Sequence, residues 1–199
     1  MSRENLKTSQ AGKADHEKLF KEVDQITTEL LSVVSASNEE ELNKSPYIES
    51  WTAAQVVDHV RKSNNGIAQA LQMQGRRGER KADERVGELK EVFLDFETKF
   101  KSPEFILPGQ KSYDRQVLIE RLERSIERIK QERVKADLSE IIDLVPLGTI
   151  SKMELLHFVI YHTTRHIRQI KNILKTIKTK THGTDQSLSQ FSGNNRRGV

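Results

Sequence analysis

Residues 154–174 read ELLHFVIYHTTRHIRQIKNIL, and their spacing predicts a long amphipathic helix. The apolar face of that helix recurs every three or four residues, which is the period of an α-helix. Two imidazoles, one turn apart, take positions where such a face normally carries leucine or isoleucine. Buried polar groups are costly unless something satisfies them, so the pair indicates a metal site. The face comprises Leu155, Val159, His162, His166, Ile170, Ile173 and Ile177.

Three further segments show the same helical spacing, and together with the first they predict the fold class. They run from about residue 15 to residues 35–37, from 53 to about 75, and from 114 to about 136, while the last helix continues to about 178. Thr52 with Gln55, and Ser151 with Glu154, have the spacing of capping boxes at helix starts. With almost no strand pattern, the sequence predicts an all-α protein, a four-helix bundle.

The connection between helices 2 and 3, residues 75–113, is too long to lack structure in a compact domain. Its apolar spacing predicts an extra helix over about residues 84–100, followed by an extended piece between Pro103 and Pro108. A connection of this length can cross the whole bundle, so helices 2 and 3 can run parallel, whereas the shorter links suit antiparallel neighbours. We therefore predict an up-down-down-up order.

The bulk composition bounds the domain organisation. A chain of 199 residues is expected to form one domain: a flexible N-terminus at 1–13, the helical bundle at 14–178 and a disordered, Gly/Ser/Asn-rich tail at 179–199. There is no cysteine, which excludes disulfides, thiolate ligands and a cysteine nucleophile.

The charge and hydropathy patterns limit the partners. The chain has 33 basic and 29 acidic side chains, but the net charge of +4 comes with no recognition motif, which argues against nucleic-acid binding. No apolar run approaches the roughly 20 residues of a membrane span, so no membrane partner is expected. The first residues lack the apolar core of a signal peptide, so we expect a cytoplasmic protein.

A third ligand candidate lies on helix 2. His59 follows Val56 by three residues and precedes Ile67 by eight, which places it near the apolar face of that helix. Three neutral imidazoles would leave about one to three coordination positions open, as in a catalytic rather than a structural metal site. A competing interpretation is that buried histidines simply hydrogen bond to threonine, glutamine or a carbonyl.

Other residues near these histidines are weaker candidates. Gln169 lies nearly in line with His162 on the helix face and could reach a ligand or hold a water. We add Gln55 and Tyr161 as candidates to contact the ligands or a substrate, although Tyr161 also suits packing. Thr163 stands where a His-Glu-x-x-His protease carries its glutamate, which excludes that class.

Two motifs taken together resemble the DinB/YfiT-like superfamily over about residues 15–178. They are Trp51-Thr-x-x-Gln-x-x-x-His59 and Tyr161-His-x-x-x-His166-x-x-Gln169. The resemblance implies an up-down-down-up bundle that holds a divalent metal, usually zinc or nickel, through His59, His162 and His166. Members are commonly dimeric, which implies a homodimer as a candidate assembly. Many are described as metal-dependent hydrolases, and some related proteins transfer low-molecular-weight thiols such as bacillithiol or mycothiol.

These observations lead to one principal hypothesis of function and two alternatives. The principal hypothesis is a metal-dependent, hydrolase-like enzyme that acts on a small-molecule substrate. The alternatives are a metal-dependent low-molecular-weight thiol S-transferase and a non-catalytic helical interaction module. The sequence places no clear general base, so it does not separate hydrolysis from thiol transfer.

Overall fold

The computed structural model describes the backbone of residues 3–191 and the side chains of residues 14–180. Over that range four long helices are joined by two short helices, a 3-10 turn at Glu104–Ile106 and three short strands. The helices are α1 (Arg3–Ser35), α2 (Glu39–Asn43), α3 (Ala53–Gln72), α4 (Val86–Leu94), α5 (Arg115–Arg133) and α6 (Lys152–Phe191). The strands are β1 (Arg76–Arg77), β2 (Glu140–Leu144) and β3 (Gly148–Ser151).

Polar contacts between α1 and α5 show that these helices are antiparallel. Arg115, at the start of α5, donates to the carbonyl of Ser35 at the end of α1 over 2.6 Å. At the other end of α5, Arg133 forms an ion pair with Asp24, which lies earlier in α1, at 2.9 Å. The two helices therefore run in opposite directions.

Helices α3 and α5 are parallel. The hydroxyl of Tyr113, just before α5, donates to Asp58 near the start of α3 over 3.1 Å. Further along both helices, Arg128 donates to Asn65 over 2.9 Å. These two helices are helices 2 and 3 of the sequence prediction. The prediction that the long connection lets them run parallel is confirmed.

Helix α6 runs parallel to α1. Lys171 of α6 forms an ion pair with Glu29 of α1 at 2.7 Å. Two to three turns earlier in both helices, burial and the charge of Glu22 in α1 together raise the pKa of Tyr161 in α6. Since α5 runs opposite to α1, α3 runs parallel to α5 and α6 runs parallel to α1, the long helices have the predicted up-down-down-up order. The expectation that helices 1 and 2 (α1 and α3), and helices 3 and 4 (α5 and α6), are neighbours was wrong, because α1 packs against α5 and α6, and α3 packs against the same two helices. The link through α2 thus crosses the end of the bundle diagonally.

The extra helix is shorter than the predicted 84–100, because α4 ends at Leu94. Asp95 ends it by accepting hydrogen bonds from the amide of Glu97 at 3.0 Å and from the hydroxyl of Thr98 at 2.5 Å. A short acidic side chain that binds the following backbone competes with helix continuation. The apolar spacing beyond residue 94 therefore does not extend the helix.

A small antiparallel sheet, in the order β1-β2-β3, was not predicted; β1 follows α3, and the hairpin of β2 and β3 links α5 to α6. Its strands have two, five and four residues, too few for a clear alternating pattern. Arg76 pairs with Ile141, a residue distant in sequence, so local periodicity could not indicate the pairing. The hairpin between β2 and β3 turns at Gly148, whose φ of +72° suits glycine.

The predicted boundaries at residues 13/14 and 178/179 stay predictions. Helix α1 begins at Arg3, before the predicted start, and α6 continues past 178 to Phe191. Residues 1–2 and 192–199 lie outside the described part of the chain. Among the helices that are described, none is both long and apolar enough to traverse a lipid bilayer.

Two apolar clusters fill the bundle, and the histidine pair of α6 lies between them. Phe158 and Val159 belong to one cluster, whereas Ile167 and Ile170 belong to the other. His162 and His166 are buried polar residues at this junction. The core thus carries imidazoles in the first half of α6, between two apolar clusters that would otherwise be continuous.

The start of α3 provides a first stability prediction. Thr52 accepts from the amide of Gln55 at 3.1 Å, and Gln55 accepts from the amide of Thr52 at 2.9 Å, which confirms the capping box. Thr52→Ala is expected to lower the free energy of unfolding by about 1 kcal/mol, because the amide of Gln55 loses its acceptor. Urea denaturation measures it. The exposed Thr179→Ala on α6 serves as control, and equal losses in both variants would contradict a capping role.

Candidate metal centre

Three histidines from α3 and α6 meet inside the bundle. The Nε2 atom of His162 lies 3.2 Å from that of His59 and 3.1 Å from that of His166. The side chains are 3%, 6% and 8% exposed for His59, His162 and His166, respectively. The structure therefore brings together the three histidines that the sequence singled out, and one ligand atom from each lies within 4.8 Å of the others.

Hydrogen bonds on the far side of two rings set which nitrogen faces the centre. His59 Nδ1 lies 3.1 Å from the carbonyl oxygen of Ile106, which can only accept, so Nδ1 carries the proton. His166 Nδ1 lies 2.8 Å from Gln169 Oε1 and donates in the same way. In both neutral rings the lone pair is then on Nε2 and points to the centre.

Burial keeps these rings neutral at neutral pH. It lowers the pKa of His59, lowers the pKa of His162 well below its usual value, and lowers the pKa of His166 to about 3. The neighbouring imidazoles act in the same direction on the pKa of His162 and of His166. Neutral imidazole is the form that binds a metal ion, so the buried site is ready to accept one.

The donor set fits a single divalent ion. Nitrogen ligands at about 2.0–2.1 Å from a tetrahedral ion are about 3.3 Å apart. This is close to the 3.2 and 3.1 Å that separate Nε2 of His162 from Nε2 of His59 and of His166. Hydrogen bonding alone does not satisfy the trio, because the Nε2 proton of His162 can go to His59 or to His166 but not to both. The lone pair of one outer histidine would then face His162 without a proton between them, which is costly in a buried site. A cation bound by all three nitrogens removes that conflict.

Aromatic rings surround the histidines. The ring centre of Trp51 lies 5.3 Å from that of His59, and the ring of Phe158 stacks on His162 at 4.9 Å. Phe93 approaches His162 edge-on at 6.1 Å. Sequence reasoning did not assign Phe93 or Phe158 to the site, although Phe158 precedes His162 by one helical turn on the same face.

Asp58, the carboxylate next to His59 in sequence, serves the surrounding structure. Arg61 donates to it at 2.9 and 2.7 Å, and the hydroxyl of Tyr113 donates at 3.1 Å. Burial acts to raise the pKa of Asp58, but these donors outweigh it and lower the pKa below its usual value. Burial, together with this carboxylate, raises the pKa of Tyr113 to about 12. Asp58 is therefore an ionised, fully engaged group rather than a free base.

The three remaining candidates differ in where they lie. Gln169 contacts His166, as described above. Gln55 is engaged elsewhere, since its amide nitrogen donates to the carbonyl of Gly109 at 3.1 Å in addition to its bonds with Thr52. Tyr161 is half-buried and stacks on His157 at 6.0 Å, rather than on the three histidines. Substrate contact by Gln55 or Tyr161 stays a prediction.

Sequence reasoning missed the groups that hold the far side of the site. The carbonyl of Ile106 lies in the connection between α4 and α5, and Arg165 lies on α6 between two of the histidines. Arg165 donates to the carbonyls of Phe93 and Asp95 at 3.4 and 2.5 Å, and to the carbonyl of Thr98. The position of Arg165 within the histidine motif was an available clue, whereas no side-chain pattern indicates a backbone acceptor.

The comparisons with known proteins agree with this architecture. An uncharacterized protein of Bacillus subtilis (strain 168), YuaE, is 26% identical over 152 residues, which covers 71% of this chain and 88% of YuaE. The crystal structure of TT2238, a four-helix bundle protein, matches with a TM-score of 0.51 and 15% identity, covering 79% of this chain and 98% of that one.

A second solved structure shares the fold. YfiT from Bacillus subtilis matches with a TM-score of 0.53 and 14% identity, covering 82% of this chain and 87% of its own. That protein is described as "a probable metal-dependent hydrolase with an unusual four-helix bundle topology". The sequence profile of the DinB superfamily matches residues 22–170, which is most of the chain and includes all three histidines. The chain therefore belongs to the DinB superfamily.

Proposed function

We propose that the protein binds one divalent metal ion, zinc or nickel, through His59, His162 and His166, and that it is a hydrolase-like enzyme acting on a small molecule. The observation that carries the proposal is the convergence of three buried Nε2 atoms, two with their lone pairs directed inward by acceptors on Nδ1. The description of YfiT as a probable metal-dependent hydrolase supports it.

The chain's own residues orient the ligands and exclude water. Ile106 and Gln169 hold the rings of His59 and His166, and the aromatic side chains around the donors keep the site dry. When bound, a divalent ion supplies Lewis acidity, which polarises a carbonyl group and lowers the pKa of water or of a thiol. Three protein donors leave room for such a ligand.

The engagement of Asp58 favours chemistry that needs no protein base. Its carboxylate is already bound by Arg61 and Tyr113, and it lies beside the site rather than among the donors. A metal ion can by itself lower the pKa of a bound water for hydrolysis or of a bound cofactor thiol for S-transfer. A metal-dependent low-molecular-weight thiol S-transferase is therefore the second candidate function.

Metal analysis tests the binding part of the proposal. Protein purified without chelators and then supplied with Zn²⁺ or Ni²⁺ at neutral pH is expected to hold about one ion per chain. At a free metal concentration 100-fold above Kd, binding should add about 2.7 kcal/mol to stability and raise Tm by about 5–10 °C. Far less than one ion per chain after loading would contradict metal binding and favour a non-catalytic helical module.

An activity assay separates the two reactions. Metal-loaded protein is incubated with a model electrophilic ester, with and without bacillithiol. Hydrolysis predicts turnover without the thiol, and removal of the metal should abolish it. Turnover that occurs only with bacillithiol would contradict hydrolysis and support S-transfer.

Three attributes of the protein are proposals that follow from the sequence and the family. We propose a small molecule as the substrate, a homodimer as a candidate assembly and the cytoplasm as the location. Size-exclusion chromatography with light scattering tests the assembly, and a monomer at micromolar concentration would contradict it.

A further inference from the structure

Residues 95–109, here called the strap, join α4 to the loop before α5 and bridge the two helices that carry the histidines. On the α6 side, the guanidinium of Arg165 donates to the carbonyls of Asp95 and Thr98. The same guanidinium lies 5.0 Å from the ring centre of Phe100. The side chain of Arg165 therefore holds the first part of the strap through the backbone carbonyls of the strap.

The other end of the strap is held by α3. The ring of His59 donates to the carbonyl of Ile106, and the ammonium of Lys62 donates to the carbonyl of Leu107. His59 is thus both a candidate metal ligand and an attachment point for the strap. The position of the strap and the orientation of the His59 ring are physically linked.

The strap has the features of a segment that opens locally. Its described regular structure is a single 3-10 turn. Side chains of α3 and α6 donate to its carbonyls. Phe100 and Phe105 are 50% and 66% exposed, so the strap buries little of its apolar surface. Segments with few buried apolar contacts open at low free-energy cost. The three histidines beneath are almost fully buried, so exchange of a ligand with solvent requires movement of the covering segments.

We propose that closure of the strap and binding of the metal ion are energetically coupled, with Arg165 as a positioning residue that acts through the strap. This inference rests on the proposed metal site. In the closed position the Ile106 carbonyl holds the proton of His59 on Nδ1 and leaves Nε2 free for the ion. An open strap removes that acceptor, so the ring loses its fixed tautomer and orientation.

The coupling has a reciprocal consequence. Loss of a group that orients a metal-binding histidine costs about 10–100-fold in affinity. Because linkage is symmetric, a bound ion must suppress opening of the strap by the same factor. Metal retention and strap protection therefore change together, which a merely structural role for Arg165 does not require.

Two variants and one control test the coupling. Arg165→Gln releases the first part of the strap, and Lys62→Met releases the other end at a partly exposed site, where misfolding is not expected. Arg124→Gln, on the exposed face of α5, is the control. The zinc release rate is measured by chelator competition, and amide hydrogen exchange over residues 95–109 is measured with and without Zn²⁺. Circular dichroism verifies the fold.

The coupling predicts a specific set of results. Zinc should slow exchange across the strap of the native protein at least tenfold, and both strap variants should release zinc at least about tenfold faster. The control should match the native protein. Native protein that holds zinc but shows the same strap exchange with and without it, and variants that release zinc at the native rate, would overturn the coupling and leave the metal site intact. Native protein that binds no zinc would overturn the metal site and the coupling together.

Discussion

Replacing His166 with alanine is expected to reduce metal affinity by at least about 100-fold, since a donor atom is lost rather than a group that orients one. Nε2 of His166 lies 3.1 Å from that of His162, so its loss leaves only two of three converging nitrogens. Isothermal titration with Zn²⁺ measures the affinity. The stabilisation of the native protein by metal should disappear in the variant, whereas its helix content should stay close to native.

A histidine on the same helix provides the matched control. His157 is half-buried on α6 and stacks on Tyr161 instead of joining the donors. His157→Ala should therefore leave zinc affinity unchanged. If His157→Ala weakened binding as strongly as His166→Ala, the loss would reflect damage to α6 and not removal of a ligand.

A graded response is expected at Gln169. Its oxygen accepts from Nδ1 of His166 at 2.8 Å, so Gln169→Leu removes an orienting acceptor and keeps the ligand itself. The expected loss of affinity is about tenfold, clearly smaller than that of His166→Ala. Equal affinity in Gln169→Leu and the native protein would show that this hydrogen bond does not set the tautomer of His166.

Glu154→Ala is expected to cause the largest loss of stability, about 3 kcal/mol in the free energy of unfolding. The carboxylate is fully buried, and Arg80 donates to it twice, at 2.6 and 2.7 Å. The amides of Ser151 and Arg85 each donate to it at 2.8 Å. Removing the carboxylate takes this acceptor from the two amides and leaves Arg80 with an uncompensated charge. Urea denaturation measures the loss.

The same carboxylate has a defined pH dependence. Burial acts to raise the pKa of Glu154, but hydrogen bonds from Arg80 and the two amides outweigh it, so the folded-state pKa is below the usual 4.5. Its contribution is therefore complete above pH 4.5 and is lost as the pH falls through the lowered pKa. The stability difference between the native protein and Glu154→Ala should shrink over that acidic range.

An exposed pair supplies the control for Glu154. Glu88 pairs with Arg85 at 2.8 Å, but its side chain is 56% exposed. Glu88→Ala should change the free energy of unfolding by less than about 1 kcal/mol, because water screens the pair. A loss as large as that of Glu154→Ala would contradict the argument from burial.

Much of the architecture was predictable because it depends on neighbours within one or two helical turns. The apolar face from Leu155 to Ile177 indicated α6 and placed His162 and His166 on its buried side. The capping boxes at Thr52 and Ser151 marked where α3 and α6 begin, and the structure shows reciprocal bonds at both. Chain length between helices then sufficed for the up-down-down-up order.

Other features escaped prediction because they join distant parts of the chain. The sheet pairs Arg76 with Ile141, and the diagonal placement of α1 relative to α3, and of α5 relative to α6, depends on packing among all four long helices. The Asx-type turn at Asp95 ended α4 against the apolar pattern. The sheet and the diagonal arrangement depend on interactions that are absent from any short window of sequence, whereas the turn at Asp95 is a local competition that the apolar spacing alone does not reveal.

In the candidate site, too, some features follow from local sequence and others from tertiary contacts. Local helical periodicity placed each imidazole on a buried face, because side chains three or four residues apart lie on one side of a helix. Whether the donors of α3 and α6 meet, which nitrogen of His59 faces inward, and what covers the site depend on contacts across the bundle. The Ile106 carbonyl is a backbone group whose role comes only from where the strap packs, so only the tertiary structure could place it against the ring of His59.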